Sequence, residues 1–274
     1  MAKIIEFLDA SMTTPTVFGW FHLLWWALMI GATVYLCKRF GNDDGKNIRR
    51  VVFYTALIAA VLEVYKQINY TFSVEDGNIV ADYQWYAFPF QFCSIPMIVG
   101  LLTGVFRKGK IHRALCAFLA SYAIFAGVCV MIYPNDVFID TIGVNIETMF
   151  CHASMIPVGV MLLYSGYVTP GHRTVLKALP VFASAVGLAS VFNEIAYYSG
   201  LLERESFNMF YISPHQDPHL PVYSTVQEYV PFPWCLIIYV LVFTLAAYLM
   251  VLIYMGVSSL VKKLFKTKSL TETE

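Results

Sequence analysis

Polar side chains inside otherwise apolar stretches carry whatever chemistry this sequence offers. Glu63, Lys66, Gln67 and Asn69 fall in one such stretch, Gln91, Cys93 and Ser94 in a second, and Glu147, His152 and Ser154 in a third; Ser184, Ser190, Asn193 and Glu194 fall in a fourth and His22 in a fifth. Glu63 stands three residues before Lys66 and four before Gln67, which puts the three on one helix face. The thiolate is the nucleophilic form of cysteine, and in apolar surroundings it needs a base or a positive neighbour to form. For Cys93 the candidate base is His152 and the candidate electrostatic helper is Lys66. Glu63 or Glu194 could orient the histidine or pair with Lys66, and Gln91, Gln67 and Asn193 are candidate donors to a developing oxyanion. The same residues equally fit a structural polar network, or a ligand-binding cleft without covalent chemistry. Cys151 adjoins His152, and neighbours on a helix point about 100° apart, so both cannot face one cavity squarely; Cys93 is the preferred nucleophile.

The elements that must position these residues are membrane spans. The chain has 274 residues, is 58% hydrophobic and only 13% charged, against about 25% charged in a soluble domain. That excludes a disordered chain, a nucleic-acid binder and an ordinary cytosolic enzyme. A helix rises about 1.5 Å per residue, so about 20 apolar residues cross a bilayer core of about 30 Å. Seven stretches meet that criterion: 16–36, 51–70, 86–105, 114–133, 147–167, 176–198 and 231–255. The expected fold is a single polytopic membrane domain over 1–274, all-α, a bundle of seven transmembrane helices in the cell membrane. A long outer loop, 199–230, is either a lid or a disordered excursion, with Phe207, Met209, Phe210 and Tyr211 favouring a lid packed over the bundle, and 256–274 is expected as a basic cytoplasmic tail.

Charge asymmetry orients the bundle. Fifteen of the eighteen basic residues lie in alternate connections, among them Lys38, Arg39, Arg49, Arg107, Lys110, Arg173, Lys177, Lys262, Lys263, Lys266 and Lys268. The opposite loops hold Glu75, Asp76, Asp82, Asp136, Asp140, Glu203, Glu205 and Asp217, with Arg204 as their one cation. This predicts the N-terminus outside and the C-terminus cytoplasmic. With that orientation Cys93, His152, His22, Asn193, Glu194, Glu63, Lys66 and Gln67 share a slab in the outer half of the bundle. One outward-opening polar cavity is the expectation, because polar groups in spans are costly and tend to be functional.

The six cysteines contain no CxxC pair, and no Cys/His spacing resembles a zinc site. No metal is expected. His112 and His172 fall in basic connections and read as solvated, as do His215 and His219 on the outer loop, whose alternative is metal binding. Residues 1–15 lack the marks of a cleavable secretory signal.

Several of these segments resemble a known family. Trp85-Tyr86-Ala87-Phe88-Pro89-Phe90-Gln91-Phe92-Cys93-Ser94, Phe150-Cys151-His152, Asn193, Phe207-Asn208-Met209-Phe210 with Pro214, and Pro231-Phe232-Pro233-Trp234 are similar to the YwaF-like integral membrane family over about residues 15–255. That family includes the animal transmembrane protein 164 group and is distantly related to the androgen-induced lipid hydrolases. The resemblance implies a multi-helix lipid enzyme. Its animal members are associated with acyl transfer between phospholipids through a cysteine and a histidine that match Cys93 and His152, and the related hydrolases cleave esters with a threonine and a histidine. It also makes Asn208 a candidate supporting residue. Many bacterial members read Leu-Pro-Leu-His-Leu-Cys where this chain has Phe90-Gln91-Phe92-Cys93, so Gln91 takes the place of a histidine. The implied partners are membrane phospholipids as acyl donor and acceptor, with no cofactor, no nucleic acid and no protein partner. A transporter or ligand-binding membrane protein using the same cavity is the alternative; no internal repeat of the kind transporters show is found.

Overall fold

The computed structural model describes residues 2–43, 45–200, 206–216 and 221–271, with side chains through 263 except at 221 and 222, and among the described residues apolar runs punctuated by glycine and proline form ten α-helices and one hairpin. The helices are α1 Ala2–Leu8, α2 Trp20–Phe40, α3 Lys46–Asn69, α4 Ile95–Val105, α5 Gly109–Leu119, α6 Tyr122–Ile132, α7 Ile142–Tyr164, α8 His172–Tyr198, α9 Pro221–Tyr229 and α10 Trp234–Thr271. Antiparallel β1 Phe72–Glu75 and β2 Asn78–Ala81 form the hairpin. Its turn is Asp76-Gly77, both at positive φ, the pairing that tight hairpins favour. Glu203, Arg204, Glu205, Asp217 and His219 lie outside the described residues, as do the side chains of Lys266 and Lys268.

Six helices among the described residues are long and apolar enough to cross a membrane: α2, α3, the α5–α6 pair (Gly109–Ile132), α7, α8 and α10. Many of their outward side chains are large and apolar, including Leu23, Leu28, Val61, Leu241 and Leu245, as suits contact with lipid.

The helix expected over 86–105 is only half formed. Trp85–Ala87 is a single 3-10 turn, 88–94 is irregular, and regular helix begins at Ile95 and lasts 11 residues. Proline explains the break. Phe88, which precedes Pro89, is held extended at ψ 131, because a following proline ring disfavours the helical conformation. Pro96 lacks an N–H but sits in the first helical turn, where that donor is not needed.

Contacts nevertheless carry this segment from one end of the bundle to the other. At one end the Arg49 guanidinium meets the Tyr167 hydroxyl, which also bonds His112, and the His112 ring reaches the carbonyl of Phe106, just past α4. At the other end Tyr65 and Asn69 of α3 bond the Leu8 and Asp9 region, and Met12 donates to Asp140. The amide of Gln84, just before the 3-10 turn, donates to Tyr70, so the segment starts beside Asn69 and finishes beside Arg49. His112 is therefore a correction to the sequence reading. It is 5% exposed within α5, with both ring nitrogens engaged, because the helix starts at Gly109 rather than near 114. His172, at the start of α8, is exposed as expected.

Close approach of α6 and α7 sets where His152 lies. A Cβ on Gly127 would meet the His152 carbonyl oxygen at 2.7 Å, and one on Gly159 would meet the Leu119 carbonyl at 2.7 Å. Small residues of this kind let membrane helices approach backbone to backbone. Gly127→Ala is expected to destabilise the protein by about 1–3 kcal/mol, seen as a lower thermal midpoint in detergent. Gly187→Ala, where the new methyl meets nothing within 4 Å, is the control and is expected to be neutral or slightly stabilising.

Candidate functional site

The stripe Val52, Ala56, Ala59, Glu63 and Lys66 of α3 faces α4 and α7 across a cavity that Cys93, Ser94 and Met97 close on one side and Glu147, Thr148, Cys151 and His152 on the other. Its non-atom space, part of it open to the outside, is about 650 Å3, of which the centres of water-sized spheres reach only about 70 Å3, so the cavity is narrow. Polar groups crowd one end, while alanines, glycine, leucine and valine line the remainder.

The Lys66 ammonium lies 2.7 Å from Glu63 Oε2 and 3.6 Å from Glu147 Oε1. Glu147 Oε1 also accepts the Cys151 thiol at 3.1 Å, and Thr148 Oγ1 donates to Oε2 at 3.1 Å. Gln67 donates through Nε2 to Glu63 Oε1 and to the Ala87 carbonyl, and its Oε1 accepts the Tyr83 hydroxyl. A largely buried cation is thus held between two carboxylates, and the network continues outward to the 3-10 turn.

His152 supplies a different kind of group. Its Nδ1 lies 2.7 Å from the Thr148 carbonyl, and a carbonyl only accepts, so the neutral ring carries its proton on Nδ1. Nε2 then holds the lone pair. That atom is buried and has no hydrogen-bond partner among the described residues, which is costly unless a ligand or reacting group uses it. Of the two thiols bordering the cavity, Cys151 is committed to Glu147. Cys93 directly precedes Ser94, the N-cap of α4, and the amino end of a helix favours negative charge.

Non-helical backbone at this depth survives only if its polar groups are satisfied within the protein. The loop 207–213 meets that condition and tucks into the bundle, with Phe207, Met209, Phe210 and Ile212 all buried. Asn193 exchanges two hydrogen bonds with the Met209 backbone. Gln91 Nε2 donates to the Asn208 carbonyl at 3.0 Å, and the Phe210 amide donates to Gln91 Oε1 at 2.8 Å. Asn208 Oδ1 accepts the Ser213 amide, and the Tyr239 hydroxyl donates to the Phe210 carbonyl. Phe210 and Tyr211 both hold positive φ, 59° and 56°, a strained choice for non-glycine residues that persists because these bonds and the packing of Phe210 on Phe90, Phe92 and Phe182 enforce it.

The site residues expected from sequence therefore divide into three groups. Cys93, His152, Glu63 and Lys66 border the cavity, with Gln67 bonded to Glu63 at its edge. Gln91, Asn193 and Asn208 hold the loop beside it. His22 and Glu194 lie elsewhere. His22 accepts the Phe18 amide on Nδ1, its Nε2 lies 2.9 Å from the Met131 carbonyl, and it packs against Phe138, joining α2 to α6. Glu194 pairs with His215, whose ring stacks on Tyr197. Glu147 and Cys151 complete the cavity wall. Glu147 is 2% exposed, and its signal in sequence was its spacing of four before Cys151 within an apolar run. Among the described residues no group of three or more His, Cys, Asp or Glu could hold a metal ion. Asn193→Ala leaves the Met209 amide buried without an acceptor, at a cost of about 1–3 kcal/mol. The expected result is faster hydrogen exchange at Met209 and Phe210 and a lower thermal midpoint.

Neither the curated proteins nor the solved structures contain a match to the chain. A family model does match: the model of the TMEM164 family aligns with residues 17–251, a stretch that takes in the cavity, the broken segment before α4 and the loop that packs beside it, and the protein belongs to the TMEM164 family.

Proposed function

We propose that the protein is a membrane phospholipid acyltransferase or transacylase working through a thioester on Cys93. The observation that carries this reading is the buried Nε2 of His152, a lone pair without a partner on the wall of the cavity that Cys93 also borders. In the proposed cycle, His152 Nε2 takes the Cys93 thiol proton as Sγ attacks the ester carbonyl carbon of a phospholipid. The tetrahedral intermediate expels the lysophospholipid oxygen, which leaves with the proton held by His152, and the acyl group remains on sulfur. A second lysophospholipid hydroxyl, or water in a hydrolytic variant, loses its proton to His152 and attacks the thioester. Cys93 departs as thiolate and recovers the proton. Lys66 stabilises negative charge in the cavity, and Glu63 and Glu147 hold it there.

The reading includes seven passes, N-terminus outside, with 85–105 as the third. It is supported by the two ends of that segment, one beside Asn69 and the other beside Arg49, and by the basic connections gathered at the Arg49 end. An outward-facing cavity accounts for a lipid acyl donor, since acyl-CoA is confined to the cytoplasm. The Lys66–Glu63–Glu147 cluster is also the observation that favours the competing reading, a charged solute held without chemistry.

Intact mass after incubation with mixed phospholipids separates the two. The expected result is a fatty-acyl increment that hydroxylamine removes, absent in Cys93→Ala and retained in Cys151→Ala. His152→Ala is expected to slow its appearance by about 10²–10⁴-fold. If neither adduct nor lysolipid nor free fatty acid forms, acyl transfer is excluded and solute binding takes its place.

A further inference from the structure

Helices α3 and α4 are zipped together at one end and parted at the other. Toward the Arg49 end a Cβ on Gly100 would meet the Ala56 methyl at 2.5 Å, and one on Gly104 would meet the Phe53 ring at 2.5 Å. No lipid chain passes there. Toward the other end α4 has not yet begun. Regular helix starts only at Ile95, and a groove opens between the outer part of α3 and the stretch 89–98, lined by Ala60, Val64, Ile68, Pro89, Met97 and Ile98. Val64 is 60% exposed and Ile68 37% exposed, so the groove lies on the outside of the bundle.

Glu63 and Met97 border this groove and also border the cavity that holds Cys93 and His152. The two spaces therefore adjoin at these side chains. The wall of the groove is mainly apolar; Glu63, Gln67 and Thr71 stand four residues apart among its apolar residues, with Gln67 donating to Glu63 and Thr71 donating to the Gln67 carbonyl. A mainly apolar wall whose polar groups are already bonded suits a hydrocarbon chain.

We infer that this groove is a lateral portal, in which a phospholipid from the surrounding leaflet lays an acyl chain between α3 and 89–98 and carries its ester past Met97 into the cavity. The inference deepens the proposed acyl transfer and rests on its choice of a membrane lipid as substrate. The portal follows from the proline-bounded break, because a continuous helix over 86–105 would extend the close packing seen at Gly100 along the whole of α3.

The test is photolabelling of the full chain in phosphatidylcholine vesicles that contain a phosphatidylcholine with a diazirine-bearing acyl chain, followed by peptide mapping. Wild type and Cys93→Ala, in which chemistry is switched off, are expected to label alike at 60–72 and 89–98, about tenfold above the exposed faces of α2 and α10. Ala60→Trp, which fills the groove, is expected to reduce that labelling about tenfold and to leave α2 and α10 labelling unchanged. Label spread evenly over all lipid-facing helices in wild type overturns the portal, whatever the folding of the variant. Portal labelling with no thioester, lysolipid or free fatty acid supports the portal and removes the acyl-transfer reading; a thioester with no portal labelling does the reverse.

Discussion

A backbone amide or carbonyl inside an apolar bundle must find a partner within the protein, and two stretches of this chain do so without being helices. The segment 88–94 and the loop 207–213 lie against one another, and side chains rather than a regular ladder satisfy them. Gln91 serves the loop with both ends of its amide, Asn193 does the same from α8, and Asn208 and Tyr239 supply two further bonds. Cys93 is placed by this arrangement. It lies two residues from Gln91, at the point where the irregular stretch becomes α4. If the amides were removed, the stretch would have to become helix or leave the bundle, and either would carry the thiol away from the cavity.

The charged cluster makes a complementary argument. A lysine and two glutamates buried together cost more in desolvation than they return in stability, and apolar replacements of buried ion pairs are often neutral or stabilising. Glu63, Lys66 and Glu147 are therefore poorly explained as a stabilising device, and their position on the wall of a cavity with an unpartnered imidazole nitrogen gives them a use. The same geometry separates the two thiols. Cys151 is bonded to Glu147, whereas Cys93 sits at the amino end of α4.

Membership of the TMEM164 family is consistent with this architecture, but a fold by itself does not specify chemistry. The functional reading rests on the site: the tautomer that Thr148 imposes on His152, the cation held by two carboxylates, and the apolar remainder of the cavity that suits an acyl chain. The groove between α3 and 89–98 shares Glu63 and Met97 with that site, and it exists for the same reason that Cys93 borders the cavity, which is that regular helix starts only at Ile95.

Much of this was legible in the residues. Apolar runs of about twenty mark the membrane class because the bilayer core imposes that length on any helix that crosses it, and the three- and four-residue spacing of Glu63, Lys66 and Gln67 places them on one face because 3.6 residues make a turn. Both properties are one-dimensional, so sequence reports them. What it could not report is azimuth. Span positions in the sequence put His22, Asn193, Glu194 and His152 at one depth, yet His22 joins α2 to α6, Asn193 holds a loop, Glu194 meets His215 at the surface, and His152 alone of the four borders the cavity. Which way a helix face points depends on which neighbours pack against it, and that was decided by the glycine contacts of α6 with α7 and of α3 with α4. The break at 88–94 lay between. Its prolines were visible, but whether they bend a helix or end it depended on Gln91 finding partners more than a hundred residues away, a contact that only the folded chain creates.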